Sequence, residues 1–467
     1  MPTLPAGPRL VAFTMIGWLC LFYPAPEMAR AAGPGDASTA ASGSAPARPR
    51  QVLSLSQAQE RALRYQPALR QARGQTEAAT GRTEQARAGY LPQAALTGSY
   101  QRTTGNFALR PGSTPNQNIA LATTTSGWST NTYNFMAYGV SASQLIYDFG
   151  QTDGRWRAAA ANRDAAQSGE LTAEQQALLA VRRAYFLVRA DGDLIGVARD
   201  TLANQVRHLA QIQAFVQAGI RPEIDLAQAR TAVANARVQL VSATNDDAVA
   251  REQLNQTMGT FEGVDYDLAD SSLPVVAGED GPVEKLVDSA LSTRPELETI
   301  RRQRRAQELT IGALRGGYGP ALGAAAGATE AGQDFGHLVP NWFLGLTLNW
   351  PFLQGGLTKG QIHEAQGVLA TLAAQEDGLR LGVRVDVEQG QLAVRAAKAT
   401  IAAAQEALAS ARDQLRLAEA RYANGLGSVI ELGDAQVAFT TASAQDVQAR
   451  FNLSSARAQL MAALGVR

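Results

Sequence analysis

The stretch Ala218-Gly219-Ile220-Arg221-Pro222-Glu223-Ile224-Asp225-Leu226 is answered 206 positions later (425 − 219) by Asn424-Gly425-Leu426-Gly427-Ser428-Val429-Ile430-Glu431-Leu432. Each copy carries a glycine where a helix can end, Gly219 or Gly425, and Pro222 stands where a following helix can begin. Around these breaks proline all but vanishes. Pro222 is the only one between Pro115 and Pro274, and none follows Pro351. The flanking runs are dense in Ala, Gln, Leu, Arg and Glu, which are good helix formers. The pattern predicts two long helical hairpins with tips at Gly219–Pro222 and Gly425–Gly427. A helix from about Thr152 to Ala218 would be about 100 Å long.

The echo extends far beyond the tips. Residues 150–259 overlie 356–465 without a gap, so that Gly154 meets Gly360 and Val188-Arg189-Ala190 meets Val394-Arg395-Ala396. Upstream the offset is 228, where Pro67 meets Pro295 and Tyr90-x-Pro92 meets Tyr318-x-Pro320. The difference, 228 − 206 = 22 residues, falls between Pro92 and Gly150, around Phe107 to Asn131. A repeat of this size is a structural half. We divide the chain into a first repeat at 51–259, a linker at 260–281 and a second repeat at 282–467. Within the helices, Leu202, Val206, Leu209, Ile212 and Val216 step by a mean of 3.5, and Ile430, Val437, Ala444, Phe451 and Ala458 recur every seven. Both patterns predict coiled-coil packing. Gly192 and Gly196 predict an interruption midway along the first long helix.

Between the helices lie strand patterns. Trp342, Leu344, Leu346, Leu348 and Trp350 alternate with Phe343, Gly345, Thr347 and Asn349. This is the period of two, with aromatics at both ends, of a membrane-spanning β-strand. Tyr138, Val140 and Ala142 alternate in the same phase, and partner strands should begin near Pro92 and Pro320, with Leu96 and Tyr100 facing outward in the first. Tyr138, Trp342 and Trp350 are the candidate membrane-girdle aromatics. Two strands per half give four per chain, too few to close a barrel, and an open edge in lipid is not tolerated. An ordinary strand on a soluble core is the alternative, but the long coiled coil offers no obvious core.

The remaining features exclude more than they assign. Arg9, the apolar run Leu10 to Tyr23 and Ala29-Arg30-Ala31 read as a secretory signal peptide, residues 1–31. Residues 32–50 read as a flexible Ala/Gly/Ser/Pro-rich arm. The single cysteine, Cys20, lies in the leader without the small residues a lipoprotein site needs. The three histidines, at 208, 337 and 363, are unpaired in sequence, so neither a metal site nor any cofactor is expected. A net charge of zero argues against a nucleic-acid partner. There is no P-loop, G-x-S-x-G or dinucleotide fingerprint, and His363-Glu364 lacks the second histidine of a zincin because Gly367 holds its place. Asp246-Asp247 reads as a solvated helix face. No enzyme is expected.

The chain resembles the TolC family of outer-membrane channel-tunnels. The resemblance rests on the duplicated unit of strand pair and long hairpin. It rests also on the junctions Tyr147-Asp148-Phe149-Gly150 and Pro351-Phe352-Leu353-Gln354-Gly355-Gly356, and on the tips with Asp225-Leu226, Arg421-Tyr422 and Glu431-Leu432. It implies an α+β membrane protein. A homotrimer would form a 12-stranded transmembrane β-barrel, four strands per chain, continued by a long α-helical coiled-coil barrel through the periplasm. The implied partners are outer-membrane lipid, a periplasmic adaptor protein, and an inner-membrane ABC transporter or RND pump. The missing lipoprotein cysteine favours protein export by type I secretion over drug or metal efflux. A periplasmic coiled-coil scaffold that conducts nothing is the alternative of another class. The resemblance further implies a gate at the periplasmic tip, with Glu431 and Asp434 as its acids. These share a helix face, although two solvated acids near a helix N-terminus would read the same way. It implies a latch in which a Tyr and an Arg of the second hairpin bridge to an acid of the first. Tyr422 and Asp225 match, Gly427 holds the arginine's position, and Arg221 is the candidate substitute. Tyr422 reads equally as a packing residue.

Overall fold

The computed structural model describes residues 51–104, 132–260, 266–270 and 273–466. The leader, the arm and the whole segment from Phe107 to Asn131 lie outside the described residues. In chain order the elements are β1 (Gln51–Leu53), α1 (Leu55–Tyr65), α2 (Pro67–Ala88), β2 (Gln93–Thr104) and β3 (Thr132–Tyr147), followed by α3 (Gln151–Gln217) and α4 (Glu223–Met258). The second half gives β4 (Tyr266–Leu268), α5 (Val283–Thr293), α6 (Pro295–Gly316), β5 (Ala321–Gly332), β6 (Val339–Asn349), α7 (Leu357–Ala423) and α8 (Val429–Ala463).

The two long helices, α3 and α7, are 67 residues each, about 100 Å. Their starts are built alike. Gly150 and Gly356 precede them at φ 84° and 88°, a left-handed conformation that glycine adopts without strain. In place of a side chain at the N-cap, Asp148 Oδ2 accepts from the Thr152 N–H at 2.7 Å and from its hydroxyl at 2.5 Å. In the second copy Gln354 Oε1 takes the hydroxyl of Thr358. The sharp turn from strand to helix is thereby fixed twice by equivalent residues. Gly192 and Gly196 do not interrupt α3, which runs through both. Two glycines cost about 2 kcal/mol of helix propensity, and the flanking buried residues Tyr185, Phe186, Val188, Ile195 and Ala198 offset it.

The hairpins pack through small side chains. Gly390, Ala397, Ala404, Ala411 and Ala418 of α7, and Ala435, Ala442, Ala449, Ala456 and Ala463 of α8, are buried at seven-residue spacing. The expected series holds only at its far end: Ile430 and Val437 are 67% and 66% exposed, whereas Ala458 is buried and Phe451 packs against the same core. The small side chains of the seam let the two helices of a hairpin approach closely.

Strands β2-β3-β5-β6 form one antiparallel sheet in that order. Among the described residues no core lies beneath it, and every residue of β6 is exposed. That removes the soluble-core alternative. A further two-stranded parallel sheet, β1 with β4, was not foreseen. Midway along the helices, the connecting segment lays Glu279, 1% exposed, against the second hairpin. Its carboxylate meets Arg457 Nη2 at 2.9 Å, Lys398 Nζ at 2.7 Å and the Val276 N–H at 2.9 Å. Burial pushes its pKa up, but these three donors outweigh that and hold it at about 2. Asp247 is not the solvated acid expected. It ion-pairs with Arg251 at 2.7 Å and is largely covered, whereas Asp246 is exposed.

Candidate functional site: hairpin tips and membrane face

Both tips turn through a left-handed glycine, Gly219 at φ 74° and Gly425 at φ 73°. Each turn is closed by a bond back across the helix end, Ile220 N–H to Phe215 O and Leu426 N–H to Arg421 O, both 2.9 Å. Pro222 then precedes α4, and Ser428 caps α8 by accepting the Glu431 N–H at 3.1 Å.

The tips of the two hairpins meet around Tyr422. Its ring is 2% exposed and packs in a cluster with Ile212, Ala229, Leu415, Leu432 and Ala435. His208 lies 5.1 Å and Phe215 6.3 Å from it, centroid to centroid. The Arg221 guanidinium sits 4.9 Å over the ring, a cation–π contact, and its Nη2 donates to the Gly427 carbonyl at 3.2 Å. The first hairpin thus reaches the second through Arg221, whose guanidinium meets the backbone of Gly427, the residue that holds the position where the resemblance expects an arginine. A Cβ on Gly427 would stand 3.1 Å from the Tyr422 nitrogen, so any side chain there would crowd the turn.

Asp225 is buried beside this cluster. The Tyr–acid bridge is not made: the Tyr422 hydroxyl is buried with no hydrogen-bond partner. Burial raises the phenol's pKa, with Arg221 pulling it down and Asp225 pushing it up. Burial lowers that of His208, partly offset by a hydrogen bond with Gln211. Tyr422 is therefore a packing residue in this arrangement.

Glu431 and Asp434 lie just beyond, on the first turns of α8. Asp434 is exposed, with no ion pair among the described residues. Glu431 is paired with Arg421 at 3.0 Å. Sequence reasoning quoted Arg421 only as part of the tip motif and missed this role, although its place across the turn from Glu431 was the available signal. His208 and Phe215 were also missed, since a lone aromatic or histidine on a long helix carries no pattern.

At the other end of the molecule, one face of the sheet is apolar. Leu96, Val140, Ala328 and Trp342 form one cross-strand row, and Ala94, Ala142, Ala326 and Leu344 the next. The opposite face carries Thr97, Ser141, Ser143, Thr329 and Thr347. Trp342 is 76% exposed, and Trp350, eight residues on, donates its indole N–H to the Tyr318 carbonyl at 3.0 Å. The two are about 27 Å apart along the strand, or about 20 Å in height at the tilt of a barrel strand, so an apolar band about 25 Å tall reaches one row beyond Trp342. Tyr138 lies one row outside Trp342 and donates its hydroxyl to Glu330. No described helix is long and apolar enough to cross a membrane, and no cluster of metal-ligating side chains occurs among the described residues.

Comparison with known proteins agrees with this architecture. The model of a family described as outer membrane efflux protein matches residues 58–260 and 286–466. The probable efflux pump outer membrane protein TtgC of Pseudomonas putida is 26% identical over 303 residues, 62% of this chain and 61% of that protein. The outer membrane protein TolC of Escherichia coli is 26% identical over 434 residues, 89% of this chain and 83% of its own. Among solved structures, the Campylobacter jejuni CmeC outer membrane channel superimposes with a TM-score of 0.76 at 16% identity, covering 88% of this chain and 85% of that one. The Vibrio cholerae outer membrane protein VceC gives 0.74 at 16%, covering 88% and 96%. At these identities the structures speak for the fold: a helical tunnel joined to a β-domain. The family consists of outer-membrane channel proteins, not enzymes. With the family model matched across both repeats, this chain belongs to the outer membrane efflux protein family.

Proposed function

We propose that three copies of this chain form the outer-membrane duct of an export machine, closing one barrel of twelve strands and one helical tunnel. The observation that carries this is the sheet itself. It has an apolar outer face, an inner face of mostly small and polar residues, and two uncovered edges, β2 and β6, of 12 and 11 residues. In lipid such edges must be paired, and the β6 of one copy matches the β2 of the next in length. The repeat supports the same count. Within the chain α3 receives α6, with Gly154 so close to Ala313 that a Cβ would stand 2.7 Å from the alanine's. The equivalent Gly360 on α7 faces open space, which is where α2 of the next copy would lie.

The tips are the periplasmic gate in this reading. Glu431 and Asp434 ring the mouth, and Arg221 over Tyr422 holds the two hairpins together. Six carboxylates offset by three Arg421 guanidiniums leave a net negative ring that favours cations. The duct works with a periplasmic adaptor and an inner-membrane transporter. For the cargo we take protein export by type I secretion, supported by the resemblance to the TolC family, whose Escherichia coli member matches 89% of this chain. Small-molecule efflux is the second reading, favoured by the names of relatives such as the antibiotic efflux pump protein ArpC and the toluene efflux pump protein TtgC. Deleting the gene separates them. Loss of a secreted protein from the medium with unchanged solvent and antibiotic tolerance supports the first. Lost tolerance with unchanged secretion refutes it in favour of the second.

A further inference from the structure

We propose that the lipid-facing side of strands β2 and β3 carries a binding site for a phosphorylated, multiply acylated lipid of the outer leaflet, the lipopolysaccharide class. It rests on the reading of the sheet as part of a membrane barrel. Outward from Trp342, the apolar face continues in three rows. The first is Gly98, Tyr138 and Glu330, the second Tyr100, Met136 and Gly332, and the third Arg102 and Asn134. Gly98 leaves a gap in this face, since a Cβ there would meet nothing within 4 Å. The gap is a notch of about 490 Å³ walled by Tyr100, Met136, Tyr138 and Phe335, the last reaching in from the turn between β5 and β6.

The walls are held in place. The Tyr100 hydroxyl donates to Asn134 Oδ1 at 3.1 Å, and the Tyr138 hydroxyl donates to Glu330. Both rings therefore line the notch with their polar ends tied down. An apolar slot bounded by three aromatic rings at this depth fits an acyl chain.

Charge selects the headgroup. Arg102 lies on the same face two residues outward of Tyr100. Its Nε donates to Thr132 Oγ1 at 3.0 Å, which orients the guanidinium, and among the described residues neither terminal nitrogen has a partner. Four residues separate Arg102 from Gly98, about 14 Å along the strand. A chain seated in the notch would therefore place its phosphate at the guanidinium, where a charge-assisted contact forms. Glu330, the one acid on this face among the described residues, sits inward of Arg102 and is engaged by Tyr138, so it does not contest the phosphate.

The test is native mass spectrometry of the full-length, detergent-extracted protein. After delipidation it is incubated separately with diphosphorylated lipid A, its dephosphorylated form and a zwitterionic phospholipid. The wild type should retain diphosphorylated lipid A over the other two by about tenfold. Arg102→Gln should lower that preference to near one, and Gly98→Leu should abolish retention of both forms of lipid A, with assembly mass and heat stability unchanged. Equal retention of all three lipids by the wild type, or retention unaffected by both substitutions, would overturn the proposal. Conductance in planar bilayers on the same preparation separates the two readings. Channels without lipid preference reject the notch alone, whereas a preparation that needs no detergent and forms no channels rejects the barrel with it.

Discussion

Arg221→Ala should loosen the tip, and the structure sets the size of the effect. The guanidinium gives up a cation–π contact with Tyr422, worth about 0.5–1 kcal/mol at a partly exposed site. It also gives up a charged hydrogen bond to the Gly427 carbonyl, worth about 1.5 kcal/mol. Together they come to roughly 2 kcal/mol for each pair of hairpins, or roughly thirtyfold in the balance between closed and open tips. Single-channel recording in planar bilayers reads this as a longer-lived high-conductance state. Arg221→Lys keeps the charge but loses the planar stack and should fall between. Tyr422→Phe is the discriminating control. Its hydroxyl makes no hydrogen bond here, so the variant should gate like the wild type. If Tyr422→Phe opens the channel as much as Arg221→Ala, or if Arg221→Ala changes nothing, the hairpins are held by a phenol–carboxylate bridge or by packing alone, and the Arg221 latch is wrong.

The acid mouth predicts opposite responses from neighbouring residues: Glu431→Gln with Asp434→Asn should reduce cation selectivity and divalent block, whereas Arg421→Ala should increase both by unmasking Glu431. Reversal potentials measured across a salt gradient check the pair, and equal selectivity in all three proteins removes the ring. Glu279→Gln should cost about 3 kcal/mol by leaving Arg457 and Lys398 facing a neutral group, read by thermal melting in detergent. Because the folded pKa of Glu279 lies at about 2, below its ordinary 4.5, the clamp's contribution is complete above about pH 4.5 and is lost as the pH falls toward 2. The glutamine variant should lack that part of the acid sensitivity. Gly360→Leu faces open space within one chain and should leave the helical content intact while blocking association, as native gel mobility would record; assembly as in the wild type would mean that no neighbouring chain packs there.

Much of this architecture was legible because duplication makes weak patterns agree. Either tip alone is an ordinary glycine turn, but Gly219 and Gly425 at the same distance from Gly150 and Gly356 fix both the hairpin lengths and their ends. The strands were legible because Trp342 to Trp350 alternates strictly, and alternation fixes a face whatever the neighbours are. The intrachain seam was not. Alanine is common throughout these helices, so the buried register Ala435, Ala442, Ala449, Ala456 does not stand out, whereas Ile430 and Val437 do. Ile430 and Val437 mark a face left open here rather than the face the hairpin closes. The latch was half legible: Arg221 could be named from its closeness to the tip, but its seat over Tyr422 depends on two turns 200 residues apart meeting in space. The Glu279 clamp left no trace, because three donors from two helices and a loop converge on one carboxylate without any periodicity.

The central claim is that four strands per chain cannot stand alone and that three chains close the barrel. Native mass spectrometry of protein extracted from outer membranes in mild detergent tests it directly, by the ratio of the assembly's mass to that of the denatured chain. The account predicts a ratio of three, stable until the detergent is made denaturing. A ratio of one, or extraction in a soluble form without detergent, would contradict it.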